Sequence, residues 1–195
     1  IPIVRTAGYR REHILHALEI GGRIIVVPLV NDAEAAREVV HHGKFRPLGQ
    51  RGYNTRSRGL EFGMDLPAVF KRCNEKTLLM PQIETVAAAN HLDEILDVKG
   101  LGGVFIGPGD LSADLGQPAK FDNPKLIEIV CQCIRKTRAR GLHAGILCGE
   151  GPLLDAAKAA GANLLIVASD YKALIEVWRG QLDRLRNADG ICGTQ

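Results

Sequence analysis

Apolar residues in this chain gather into six short, nearly unbroken runs, and the segments between them carry helical spacing. The runs are Ile1–Thr6, Arg23–Val30, Thr77–Glu84, the stretch opening at Gly103-Val-Phe-Ile, His143–Cys148 and Asn163–Ala168. Runs without polar alternation are what strands buried on both faces require. Between them, periodic apolar positions predict helices over Arg10–Ile20, Ala33–His42, Leu66–Cys73, Val86–Val98, Pro124–Arg140 and Gly151–Ala160. A final helix follows Ser169-Asp170 and extends to about Arg186. The punctuation agrees: Gly21-Gly22 and Gly141 stop helices, Asn31-Asp32 caps one, and Pro124 takes a first helical position. In the helix from Pro124, the inward positions are Ile127, Val130 and Ile134, with Cys131 a further candidate. Phe45–Gly63 is the longest irregular stretch, a length that in compact domains goes with function or mobility.

Six buried strands alternating with helices predict an α/β protein with a parallel sheet. Periodicity alone leaves two architectures open. One is a six-stranded doubly wound sheet. The other is a (β/α)8 barrel, which needs eight strands. No shift in composition marks a boundary, so residues 1–186 are expected to form a single domain and 187–195, polar and glycine-containing, a flexible tail.

Composition then narrows the function classes. Hydrophobic residues make up 46% of the chain and charged ones 24%, which places it among globular proteins rather than disordered ones. A net charge of +3, evenly spread, gives no footprint for nucleic acid. The densest basic stretch, Arg51–Arg58, reads as a solvated or subunit-facing loop. No apolar run approaches the roughly 18 residues of a membrane span, and the first residues do not form a signal peptide. The five cysteines lack zinc-type spacing and predict reduced thiols in a cytoplasmic protein.

The candidate chemistry lies between Met80 and Ser112. Gln82-Ile-Glu84-Thr ends one run, and Ile106-Gly-Pro-Gly-Asp110-Leu-Ser follows the next. Consecutive parallel strands lie side by side, so Glu84 and Asp110 should meet at the C-terminal rim of the sheet. Two carboxylates suit Mg²⁺ or Mn²⁺. Taken singly, either acid could instead cap the helix after it. Gln82 shares a strand face with Glu84, and Arg5 ends its own strand at the same rim. Glycine around Gly107-Pro108-Gly109-Asp110 would let backbone N–H groups approach an anion closely. No histidine suits the role of base. His13 and His16 lie on a helix, His41-His42 at a helix end and His91 on the helix after Glu84, while His143 begins a strand. Nucleotide-binding loops are absent, and no lysine ends an apolar strand, which disfavours a Schiff-base mechanism.

The paired motifs Gln-Ile-Glu-Thr and Ile-Gly-Pro-Gly-Asp-Leu-Ser resemble those of the HpcH/HpaI aldolases, the metal-dependent class II pyruvate aldolases that include macrophomate synthase. The similarity runs from Ile1 to about Arg186. The resemblance implies a (β/α)8 barrel of the pyruvate-binding type in which Ile1 aligns with the third strand, leaving two strands and their helices outside this chain. It implies cleavage of a 4-hydroxy-2-oxo acid to pyruvate and an aldehyde through a metal-stabilised pyruvate enolate. Glu84 and Asp110 would hold the metal, Mg²⁺ with Mn²⁺ or Co²⁺ as alternatives. Arg5 would be catalytic, and Gln82, Gly107, Pro108, Gly109 and Asp110 would bind the keto acid. Glu19 stands where relatives place an aspartate that reaches a neighbouring subunit's site and helps in catalysis, so the resemblance makes Glu19 a second catalytic residue, with a solvated helix-end acid as the alternative. Alternatives within this reading are an oxaloacetate decarboxylase, a macrophomate synthase-like enzyme that traps the enolate with another acceptor, and a citrate-lyase-like enzyme using coenzyme A. The histidine-bearing Asp-x-Glu-His segment of the family is absent from this sequence, which leaves open a non-catalytic protein that binds metal and keto acid. A homo-oligomer, trimeric or hexameric, is implied, with the apolar residues Leu174, Ile175, Val177, Trp178, Leu182 and Leu185 packing on a neighbour or on their own barrel.

Overall fold

The structure, a computed structural model, describes residues 1–188. The six expected strands are present: β1 Ile3–Arg5, β2 Ile24–Val27, β3 Leu78–Ile83, β4 Gly103–Ile106, β5 His143–Leu147 and β6 Leu164–Ile166. They form one sheet in the order β1-β2-β3-β4-β5-β6, and every neighbouring pair is parallel. Each strand pairs with the next in sequence, the arrangement of a half-barrel rather than of a doubly wound sheet, whose order reverses at a switch point.

The two faces of the sheet follow from the pleat. Ile25, Val27, Leu79, Ile83, Val104, Ile106, Ala144 and Ile146 belong to the large core under the helices, all but fully buried. The alternate residues Ile24, Val26, Met80 and Phe105 form a second cluster on the inner face. Register places Arg5 beside Val26, and Gln82 beside Phe105. Arg5 and Gln82 therefore share that inner face. Gly145 pairs with Phe105, and a Cβ at Gly145 would lie 2.5 Å from the Phe105 ring, so only glycine admits the aromatic there.

The helices are α1 Arg11–Glu19, α2 Ala33–Gly43, α3 Leu66–Lys76, α4 Val86–Asn90, α5 Leu92–Leu96, α6 Pro108–Asp114, α7 Pro124–Ala139, α8 Pro152–Ala159 and α9 Asp170–Ala188. Asp32 caps α2 through Ala35 N–H (2.8 Å) and Asn123 caps α7 through Lys125 N–H (2.9 Å), as their positions predict. Three expectations change. The helix over 86–98 is two short helices meeting at His91, which caps the second. In α7 the inward positions are Leu126, Val130, Cys131, Cys133, Ile134 and Thr137, with Ile127 only half-buried. The irregular stretch after Phe45 ends in a 3-10 segment, Arg58–Gly63, and packs with α3 around Phe45, Leu60, Val69 and Cys73.

Arg51 also departs from the solvated loop expected of it. It is 6% exposed, with its guanidinium 4.6 Å from the centre of the Phe45 ring. Cys73, Cys131, Cys133 and Cys148 are free and buried, and Cys192 lies outside the described residues. Of the expected 187–195 tail, α9 takes in residues 187 and 188, and the rest lies outside the described residues.

Candidate functional site

The ends of β1 and β3 supply the centre of the site. Arg5 closes β1, Gln82 lies near the end of β3, and Glu84 is the first residue beyond it. The Arg5 side chain crosses β2 and donates from Nε to Gln82 Oε1 at 3.0 Å. Gln82 Nε2 in turn donates to Glu84 Oε2. The orientation of that amide is dictated by its partners: a guanidinium only donates and a carboxylate only accepts, so Oε1 must face Arg5. Gln82 thereby couples a cation to an anion while both of its polar ends are engaged. It and Glu84 are nearly sealed from solvent, at 6% and 4% exposure.

The other carboxylate oxygen, Glu84 Oε1, accepts the backbone N–H of Leu29 at 2.8 Å. Leu29 follows β2 with φ 62°, a left-handed conformation that costs a non-glycine residue about 1–2 kcal/mol. No sequence signal marks it, because leucine is not a residue that favours this region. Across from Glu84 stands Asp110. It is not the cap of the helix after β4: that position is Gly107, and Asp110 lies within the first turn of α6. Burial pushes the Glu84 carboxyl above its ordinary range. The Leu29 N–H opposes that shift, and the Asp110 carboxylate adds to it.

Gly107 is required by the packing of these groups. A Cβ there would lie 2.7 Å from Gln82 Nε2 and 2.9 Å from Glu84 Cβ. Its own N–H is used by Ile83 O at 2.9 Å, and Pro108 has none. The backbone donors that α6 can present to an anion are therefore Gly109 and Asp110, in its first turn. An added Cβ on Gly109 would touch nothing within 4 Å.

Two cavities open on this chain of residues and share Arg5 and Asp110. One, of about 350 Å³, is bordered by Leu29, Glu84, Thr85 and Asp114. The other, of about 710 Å³, runs from Gln82 and the Gly107–Asp110 turn past Phe105 and Leu147 to Glu150 and Lys172. Of this outer part, Leu147, Lys172, Phe121, Asp122 and Cys148 escaped the sequence reading as site residues, while Gly149-Glu150-Gly151 offered only a short, weak phosphate-binding motif. Glu150 follows the β5 run, whereas Asp122 lies between α6 and α7, where no strand end marks it.

Glu19 lies apart from this group. It ends α1, just before the turn into the N-terminal end of β2, and its charge acts on Arg51. His13 and His16 line a separate cavity with Arg5 on the α1 side, and the other histidines lie away from the carboxylates. His91 Nδ1 lies 3.2 Å from Asn31 O, His42 pairs with Glu38, and His143 lies 2.9 Å from Asn163 Nδ2 at the opposite end of β5. Among the described residues no three or more His, Cys, Asp or Glu side chains converge. At this rim, the carboxylates that could hold a cation are those of Glu84 and Asp110, which face each other.

Comparisons with known proteins place the chain in a family. Residues 2–177 match the family model for HpcH/HpaI aldolase/citrate lyase. A 2-keto-3-deoxy-L-rhamnonate aldolase of Salmonella paratyphi B is 34% identical over 191 residues, covering 97% of this chain and 71% of the relative. The crystal structure of an HpcH/HpaI aldolase from Desulfitobacterium hafniense superimposes with a TM-score of 0.85 at 29% identity, over 94% of this chain and 71% of that one. Macrophomate synthase shares the fold, with a TM-score of 0.78 at 23% identity over 98% of this chain and 68% of its own. No helix among the described residues is long and apolar enough to cross a membrane. With a matching family model over most of its length and these relatives, the chain belongs to the HpcH/HpaI aldolase/citrate lyase family of carbon–carbon lyases.

Proposed function

We propose that this protein is a divalent-metal-dependent aldolase that cleaves a 4-hydroxy-2-oxo acid to pyruvate and an aldehyde. The observation that carries the reading is the hydrogen-bonded chain Arg5–Gln82–Glu84 with Asp110 facing Glu84. Bond cleavage beside a keto acid leaves negative charge on the keto oxygen, and the residues that meet it must be positive and fixed in place. Arg5 is such a residue, because Gln82 locks its guanidinium to the inner face of the sheet. The first-turn amides of Gly109 and Asp110 would orient the carboxylate of the keto acid.

The site suits a hard cation. Its donors are carboxylate oxygens, and burial next to Asp110 makes an ionised Glu84 costly unless positive charge is nearby. Glu84 and Asp110 would hold Mg²⁺, with Mn²⁺ or Co²⁺ as alternatives. When bound, such a cation supplies Lewis-acid stabilisation of negative charge on oxygen. We read residues 1–186 as one domain, part of a (β/α)8 barrel, in a cytoplasmic enzyme. The exposed apolar face of α9 supports a trimer or hexamer, to which Glu19 would contribute at a neighbour's site.

Pyruvate release from a short 4-hydroxy-2-oxo acid and from oxaloacetate, with Mg²⁺ or Mn²⁺ and then with chelator, tests this function. The expected result is chelator-sensitive release, lost in Glu84→Ala, with the hydroxy-oxo acid the better substrate. Preference for oxaloacetate would make the enzyme a decarboxylase. Release that survives both chelator and Glu84→Ala would refute the metal reading.

A further inference from the structure

We propose that Cys73 is a site of oxidation by peroxide, and that Arg51 and Lys44 hold the sulfinate it becomes. The inference is independent of the aldolase reading. Cys73 sits on α3 beneath the 3-10 segment Arg58–Gly63, 3% exposed, and its thiol donates to Gly59 O at 3.8 Å. Three cations lie about the sulfur. Arg23 Nη1 is 4.0 Å away, Arg51 is within side-chain hydrogen-bond reach, and Lys44 is close enough for the sulfur to act on its charge. Two of these cations have donors to spare. Arg51 is 6% exposed, and its Nε–H is sealed from water without an acceptor. The Lys44 ammonium carries three N–H groups and uses two of them on Asn74 O and Thr77 O. Nearby carboxylates leave this unchanged: Glu61 is taken by Arg23 and Arg72, and Glu19 acts on Arg51 without reaching Nε. A buried donor without a partner is costly. A sulfinate at Cys73 would bring two acceptor oxygens and a negative charge, where the thiol offers one weak acceptor.

Hydrogen peroxide supplies the oxidant. The sulfur attacks one peroxide oxygen, the O–O bond breaks, and the thiol proton leaves with the other oxygen as water. The sulfenic acid repeats the step with a second peroxide, giving a sulfinic acid and a second water, and its proton passes to solvent. Each step oxidises sulfur by two electrons and reduces one peroxide. The cations stabilise negative charge on the product oxygens. Peroxide is little larger than water, so a partial opening of the cover admits it. Leu60 anchors that cover, but Phe62 and Met64 stand 68% and 67% exposed. Glu61 and Phe62 also hold left-handed φ values of 50° and 55°, which disfavour residues other than glycine.

The test treats the full-length protein with hydrogen peroxide and follows each cysteine by peptide mass spectrometry over time. Cys73 should gain two oxygens faster than the buried Cys131 and Cys148 by about tenfold or more. Lys44→Met removes one spare donor and its charge, and should slow Cys73 by about tenfold. Arg51→Lys keeps the charge, removes Nε, and is the milder variant, expected to slow Cys73 by about threefold. The Cys148 rate, unchanged in both variants, shows that the fold is intact, since unfolding would speed every buried thiol. Oxidation of Cys73 in the wild type no faster than that of Cys131 and Cys148 would overturn the inference. So would a Cys73 rate unmoved in Arg51→Lys and Lys44→Met, or a sulfenic acid that dimedone traps and that gains no second oxygen.

Discussion

Gln82 joins elements that are remote in sequence. Its amide receives Arg5 from 77 residues away and donates to Glu84 two residues on. The second contact was legible, because residues two apart on a strand share a face. The first was not, since nothing in a sequence says which distant arginine crosses an intervening strand. Two glycines two residues apart make the precision of this arrangement measurable. Gly107→Ala places a methyl 2.7 Å from the Gln82 amide, which must move and release Arg5. The expected outcome is a loss in kcat of about tenfold to a hundredfold, the scale of a misplacement near 1 Å. Gly109→Ala meets nothing, keeps a conformation that alanine accepts, and enters the first turn of α6. It should raise stability by about 0.4–1 kcal/mol in urea denaturation, where Gly107→Ala lowers it.

At the scale of elements, α3 and the segment before it show what periodicity omits. Lys44 is 3% exposed and donates from Nζ to Asn74 O at 2.7 Å and Thr77 O at 2.6 Å, both at the C-terminal end of α3. Burial lowers its ammonium from 10.5 to about 8. Because the folded value lies below the unfolded one, the native state releases this proton first as pH rises. Between about 8 and 10.5 the unfolded chain holds the extra proton, so this group makes stability rise with pH, by up to about 1.4 kcal/mol per unit. Below 8 both states are charged, and the cost of burying the ammonium is constant. Denaturation of the native protein and Lys44→Met across pH 7.5–10 should show that increment in the former only. In the sequence, Lys44 was one more charge in a polar stretch. Likewise Arg51, read as part of a basic loop, lies against Phe45, which stacks on Phe70 with centroids 4.3 Å apart.

At the scale of the whole molecule, α9 stands out. Its apolar residues were expected to cover a neighbour or their own barrel, and against the six strands described here they stay exposed. Leu174, Val177, Trp178, Leu182 and Leu185 are each more than half exposed. An apolar helix face of this size favours association, at about 1.5–3 kcal/mol for each large side chain buried. Light scattering after gel filtration should give a trimer or hexamer, and Trp178→Glu/Leu182→Glu should shift it to smaller species. A wild-type monomer would remove the oligomer reading and, with it, any role for Glu19 at a neighbour's site.

Which segments are strands and helices, their parallel alternation, and the meeting of Glu84 and Asp110 at one rim were all determined by local sequence. They depend on side-chain period, on capping and on the rule that parallel neighbours end at the same face. The tertiary structure alone decided the sequential strand order, the reach of Arg5 over β2, the Leu29 N–H on Glu84 and the meeting of Asp122 and Glu150 at one cavity. Those contacts join residues from separate strands and loops. Their geometry follows from how the whole sheet curves, which no single stretch of the chain encodes.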